Sequence, residues 1–91
     1  MNIKDLNLTE LEEQTLTSLI NGLYAEAGFS DVDAKDIAQW INKDIKSVRG
    51  AVGSLVRKGI VWTEDNGSYI IIYLNEKYYG LHPEWKNEVA C

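Results

Sequence analysis

Residues 45–61 read Ile45-Lys46-Ser47-Val48-Arg49-Gly50-Ala51-Val52-Gly53-Ser54-Leu55-Val56-Arg57-Lys58-Gly59-Ile60-Val61. Two periodicities meet in this stretch. At about 100° per residue, Leu55, Val52, Ile45, Val56 and Ala51 all fall within about 80° of Val48, which makes one continuous apolar side of a helix. Gly59 then occupies the position where helices turn left-handed and stop. Ile60-Val61-Trp62-Thr63, directly after it, is rich in the β-branched and aromatic residues that strands favour. The stretch therefore predicts a helix over 45–58 that hands the chain straight to a strand.

The other side of that helix is centred on Arg57, with Lys46 and Gly50 about 20° away and Gly53 about 40° away. Arg49, Ser47 and Ser54 flank it. Two glycines inside a helix cost about 0.8–1 kcal/mol each relative to alanine. Close approach of another backbone, a phosphate strand or a partner helix, gives such a face a reason to carry them. Three readings stay open for it at this point: contact with nucleic acid, contact with protein, or a solvated face on which glycine is tolerated.

Working outward, Asp44 predicts the N-cap of this helix, and Asp33 that of a preceding one over 34–42. Val32 and Ile37 form a hydrophobic staple around Asp33, and Ile37, Ala38, Trp40 and Ile41 supply the buried side. Thr9 and Glu12 have capping-box spacing, and Leu16, Leu19, Ile20, Leu23, Tyr24 and Ala27 follow at helical intervals. The first helix is expected over 9–27, ended by Gly28. On the other side, Tyr69-Ile70-Ile71-Ile72-Tyr73-Leu74 makes a second strand, and Asn66-Gly67 between the two predicts a type I′ hairpin within 60–74. Asn75 caps a short turn over Glu76 to Tyr79, ended by Gly80, and Leu81 to Trp85 is expected as an extended strap over the first helix. The expected class is α+β: three helices, a two-stranded antiparallel hairpin and a C-terminal strap, in a single domain over 1–91.

The 91 residues suit one small core, and 45% hydrophobic with 25% charged is an ordinary globular balance. No run approaches the roughly 20 apolar residues of a membrane span, and Met1 to Asp5 lacks a signal-peptide core, so no membrane partner and a cytoplasmic location are expected. The lone Cys91 and lone His82 leave no zinc cluster and no nucleophile–base pair. Gly50 and Gly53 lie inside a helix and do not precede one, so no phosphate-cradling loop exists. No catalysis and no cofactor are expected. The aromatics Trp62, Tyr69, Tyr73, Tyr78, Tyr79 and Trp85 are assigned to the core, with a stacking surface for single strands as the alternative; any of Tyr78, Tyr79 and Trp85 left outside would suit a homodimer patch. Net charge is −5, yet residues 43–58 hold five bases (Lys43, Lys46, Arg49, Arg57, Lys58) against Asp44 alone. That window carries +4 and the remainder −9. That asymmetry is a functional clue, because an acidic net charge by itself argues against a nucleic-acid partner.

The segments Asp33-Ala34-Lys35-Asp36-Ile37-Ala38, Ser47-Val48-Arg49-Gly50 and Leu55-Val56-Arg57-Lys58-Gly59-Ile60-Val61 resemble winged helix-turn-helix proteins, notably small MarR-like and phage-encoded regulators. The resemblance implies that the second helix positions the third in the major groove of double-stranded DNA, with the hairpin as the wing. It assigns Lys46, Ser47, Arg49, Gly50, Gly53 and Arg57 to the recognition helix and Lys43 to a phosphate contact in the turn. Wings of this kind commonly carry Arg or Lys at the tip. Here Thr63-Glu64-Asp65-Asn66-Gly67-Ser68 holds two acids and no base, leaving Asn66 and Ser68 for any DNA contact. Such regulators are frequently homodimers, with half-sites about one duplex turn apart. The implied function is a sequence-preferring DNA-binding transcriptional regulator. The alternative, favoured by the acidic wing and a pI of about 4.7, is a phage-type module that binds a host protein.

Overall fold

A computed structural model describes residues 3–23, 32–67 and 70–81. Its first element is a 3-10 turn at Ile3–Leu6, followed by α1 (Glu10–Leu23), α2 (Ala34–Ile41), α3 (Ile45–Arg57), β1 (Val61–Asp65), β2 (Ile70–Leu74) and a second 3-10 turn at Glu76–Leu81. Among the described residues, no helix is long and apolar enough to cross a membrane. Gly28, the expected stop of the first helix, lies outside the described residues, as do Tyr24, Ala27, Ser68, Tyr69 and the strap beyond Leu81.

The helix starts are fixed by local side-chain chemistry. The Thr9 hydroxyl accepts from the Glu12 N–H at 3.2 Å, and the Glu12 carboxylate accepts from the Thr9 N–H at 2.8 Å. At α2 two aspartates make the same reciprocal box, Asp33 accepting from the Asp36 N–H at 2.9 Å and Asp36 from the Asp33 N–H at 3.2 Å. Asp44 accepts from the Ser47 N–H at 3.1 Å and caps α3. The ends follow backbone logic. Asn42 closes α2 in the left-handed region, at φ 54°. After α3, Gly59 takes φ +75°, its N–H donates to the Val56 carbonyl at 2.9 Å, and the Ile60 N–H donates to the Leu55 carbonyl at 3.0 Å. That pair of bonds is a Schellman motif, and it turns the chain into β1.

The core lies where the three helices meet one face of the hairpin. Leu16, Leu19 and Ile20 of α1, Ile37 and Ala38 of α2, and Val48, Val52 and Leu55 of α3 pack with Ile60, Val61, Ile72 and Leu74. Val32 and Ile37, the expected staple, are both buried in it. The strands pair antiparallel, with Val61 opposite Leu74, Thr63 opposite Ile72 and Asp65 opposite Ile70 on the face toward α3. The Ile72 N–H donates to the Val32 carbonyl at 2.7 Å, so the segment entering α2 is tied to the hairpin. Asn75 locks the hairpin's base: its amide donates to the Gly59 carbonyl at 2.9 Å, and its carbonyl side-chain oxygen accepts from the Lys77 N–H at 3.0 Å.

Several expectations change. Asp65 pairs with Ile70 and Asn66 has no positive φ, so the expected two-residue type I′ turn at Asn66-Gly67 is not formed. The Asp65 carboxylate accepts from the Gly67 N–H at 2.8 Å, a side-chain-closed turn that replaces the tight backbone one. Trp40, expected on the buried side of α2, is 45% exposed, with its ring lying over Gly22 of α1. Trp62, assigned to the core, is 50% exposed and stacks on Tyr73 at 4.2 Å between ring centroids. Strand alternation explains this: residue 62 points away from the face that Val61 and Thr63 share. Val56, expected inside, is 39% exposed. Tyr78 does pack against the core.

Candidate nucleic-acid interface

The strip opposite the buried side of α3 is open. Lys46, Ser47, Arg49, Gly50 and Arg57 are exposed, and Gly53 and Ser54 partly so. Lys43 is exposed in the turn that leads into α3. Among the described residues Lys43, Lys46, Arg49 and Arg57 make no ion pair. A Cβ added at Gly50 would meet nothing within 4 Å, and one added at Gly53 would meet only the Arg57 guanidinium, at 3.6 Å. Among the described residues nothing in the packing requires either glycine. The strip is therefore a flat helical surface with cations at its two ends and on one flank.

On that flank a groove of about 750 Å³ separates α3 from the hairpin and the start of α2. Arg49, Gly53, Val56 and Arg57 line its helical wall, and Asp65 and Ile70 its hairpin wall. Lys35 also lines it, from the second position of α2. Its place in the same groove as Arg49 depends on how α2 crosses α3, which no local pattern reports. The tip of the hairpin carries exposed Glu64, Asp65 and Asn66. The Glu64 carboxylate accepts from the Tyr73 hydroxyl at 3.3 Å, next to the Trp62–Tyr73 stack. Ser68 lies outside the described residues.

The opposite flank of α3 is fastened to α1. Glu12, only 4% exposed, receives the Lys58 ammonium at 2.9 Å on both carboxylate oxygens and also accepts from the Ser54 hydroxyl. The Ser54 hydroxyl, the Thr9 N–H and the Lys58 ammonium hold its carboxyl at about 2, against an ordinary 4.5, and outweigh burial, which acts the other way. This changes the charge reading of residues 43–58. Lys58 is paired with a buried acid 46 positions away, so its charge is offset there even though its side chain stays 41% exposed. Spacing reveals Glu12 as a capping residue but gives no sign of this second task.

Comparison with known proteins fits this geometry to a fold. No family model matches the chain, and no curated protein matches it. Solved structures do. MepR, the transcription regulator of the Staphylococcus aureus multidrug efflux pump MepA, superposes with a TM-score of 0.65 at 18% identity, over 92% of this chain and 59% of that one. A MarR transcriptional regulator from Methanosarcina mazei gives 0.64 at 18%, over 97% and 56%. A MepR mutant from a multidrug-resistant S. aureus clinical isolate gives 0.66 at 17%, over 96% and 61%. The fold is a winged helix-turn-helix.

In the winged-helix frame α2 and α3 are the second and third helices and β1–β2 the wing. These neighbours are transcription regulators. The chain spans about three fifths of their length (59%, 56% and 61%). Among the described residues, no group of three or more His, Cys, Asp or Glu side chains is placed to hold a metal ion.

Proposed function

We propose that this winged-helix chain is a sequence-preferring double-stranded DNA-binding protein that acts as a small transcriptional regulator. The observation that carries the reading is the open strip of α3, on which Lys46, Gly50 and Arg57 are exposed and the two glycines have no packing partner that needs them. A rod about 10–12 Å across, side chains included, suits a major groove about 12 Å wide, and a glycine-lined face seats deeper than any other. Lys43 and Lys46 neutralise phosphates at the N-terminal mouth of the helix. Arg49 and Arg57 lie two turns apart and reach phosphate or guanine. Ser47 donates its hydroxyl, and Asn66 and Ser68 are the wing's uncharged contacts. Glu64 and Asp65 keep the wing from lying flat on phosphate, because like charge is repelled there.

Salt dependence is the decisive measurement. Four cations at the interface give a slope of log K against log salt of about −3.6 per chain, from about −0.9 per phosphate. Replacing Lys46 and Arg57 together by Glu should abolish binding to duplex. Flat salt dependence, or no duplex binding at low salt, refutes the proposal. If two chains bind as a homodimer, the preferred duplex carries two half-sites about 10 base pairs apart.

The second reading is a protein-interaction module, favoured by one feature: half-exposed Trp62 beside Glu64 on the outer face of the wing. A stoichiometric protein partner that survives nuclease and is lost on replacing Trp62 by Ala would establish it.

A further inference from the structure

The groove flanking α3 is not purely cationic. Val56 is 39% exposed, and it lines the same wall as Arg49 and Gly53. Residues 49, 53 and 56 lie on one stripe of the helix, since positions three, four and seven apart stack along a face. Lys46 and Arg57 account for charge, and Gly50 and Gly53 for clearance. Val56 does neither. A branched apolar side chain gains nothing from phosphate, and its exposure in the free protein leaves it a contact to find.

A duplex displays one apolar group in its major groove, the 5-methyl of thymine. That methyl stands toward the edge of the groove, near its own strand's backbone, and so meets the flank of a docked helix rather than its crest. Val56 sits on that flank, about 100° round the axis from Arg57. Gly53, between them on the surface, removes the side chain that would hold the methyl away. We propose that Val56 is a specificity-determining residue that reads the 5-methyl group of a thymine on the strand whose phosphates Arg49 contacts. The inference rests on the DNA-binding reading above and adds to it the base that is recognised.

The test uses the full chain and duplexes enriched by it from a pool randomised at its centre. Thymines of an enriched duplex are replaced one at a time by deoxyuridine, which differs only in lacking the methyl. Burial of one methyl against Val56 corresponds to about a fourfold change in affinity. The expected result is such a loss at one position per half-site with the wild-type chain, and none at that position with Val56→Ala. This variant should fold, because the site is partly exposed and alanine favours the helix. Two results overturn the inference while leaving DNA binding intact: no thymine position sensitive to the methyl, or an equal loss with wild type and Val56→Ala. Failure to bind any duplex would remove the inference together with the reading it rests on.

Discussion

Replacing Gly50 by Ala separates what the fold needs from what docking needs. Inside a helix, glycine loses more backbone freedom on folding than alanine, and the difference is about 0.8–1.0 kcal/mol. A methyl at position 50 meets nothing within 4 Å, and at 53 it makes an ordinary contact with the Arg57 guanidinium at 3.6 Å. Neither glycine has a left-handed φ, in contrast to Gly59 and Gly67. Each of Gly50→Ala and Gly53→Ala should therefore stabilise the free chain by about 1 kcal/mol, which for a domain of this size raises Tm by about 4–8 °C. The same methyl would stand on the face proposed to meet DNA. Overpacking a close interface costs about 1–3 kcal/mol, so duplex affinity should fall about tenfold or more for Gly50→Ala. Thermal circular dichroism and fluorescence-anisotropy titration on the same preparations read both effects. Gly59→Ala is the control: at φ +75° it should destabilise. Loss of stability in Gly50→Ala would show that the helix needs its glycine. A stabilised variant with undiminished affinity would refute the close-docking argument outright.

Four further outcomes are expected. Because the Glu12 carboxyl is held at about 2 against 4.5, its contribution is complete above pH 4.5 and is lost as pH falls toward 2; urea unfolding should show a steeper decline over that range in the wild type than in Glu12→Gln. Gly22→Ala places a Cβ 2.5 Å from the Trp40 ring, which must swing outward, so tryptophan fluorescence should shift to the red and stability fall by about 1 kcal/mol. Thr15 is buried in α1, and among the described residues its hydroxyl has no partner; Thr15→Val should raise stability by about 1 kcal/mol, and a loss in chemical denaturation would mean the hydroxyl has a partner after all. Asp33→Ala removes one half of the α2 capping box and should cost about 1 kcal/mol by the same measurement.

The features legible from sequence are those decided within a helical turn. Asp33 and Asp44 cap because a carboxylate three residues before an orphan N–H has only one good partner. Gly59 ends α3 because few other residues accept its φ. The strip of Lys46, Gly50, Gly53 and Arg57 follows from helical periodicity once both ends are set. Even the change of period at residue 60 is local. The α+β order of three helices and a hairpin thus came from short-range chemistry.

What packing decided involves residues far apart along the chain. Whether Lys58 is left unpaired or meets Glu12 depends on the way α1 lies against α3, across 46 residues. Whether Val56 is core or surface depends on where the hairpin comes to rest, and it rests far enough off to leave a groove with Lys35 and Ile70 in its walls. Strand register replaced the expected tight turn: Val61 stands opposite Leu74 and Asp65 opposite Ile70, and the Asp65 carboxylate closes the turn on the Gly67 N–H. Sequence alone settled which elements form, because hydrogen bonding and backbone sterics act over a few residues. Tertiary structure settled which charges and apolar groups stay available to a partner, because burial is a property of neighbours that only folding brings together.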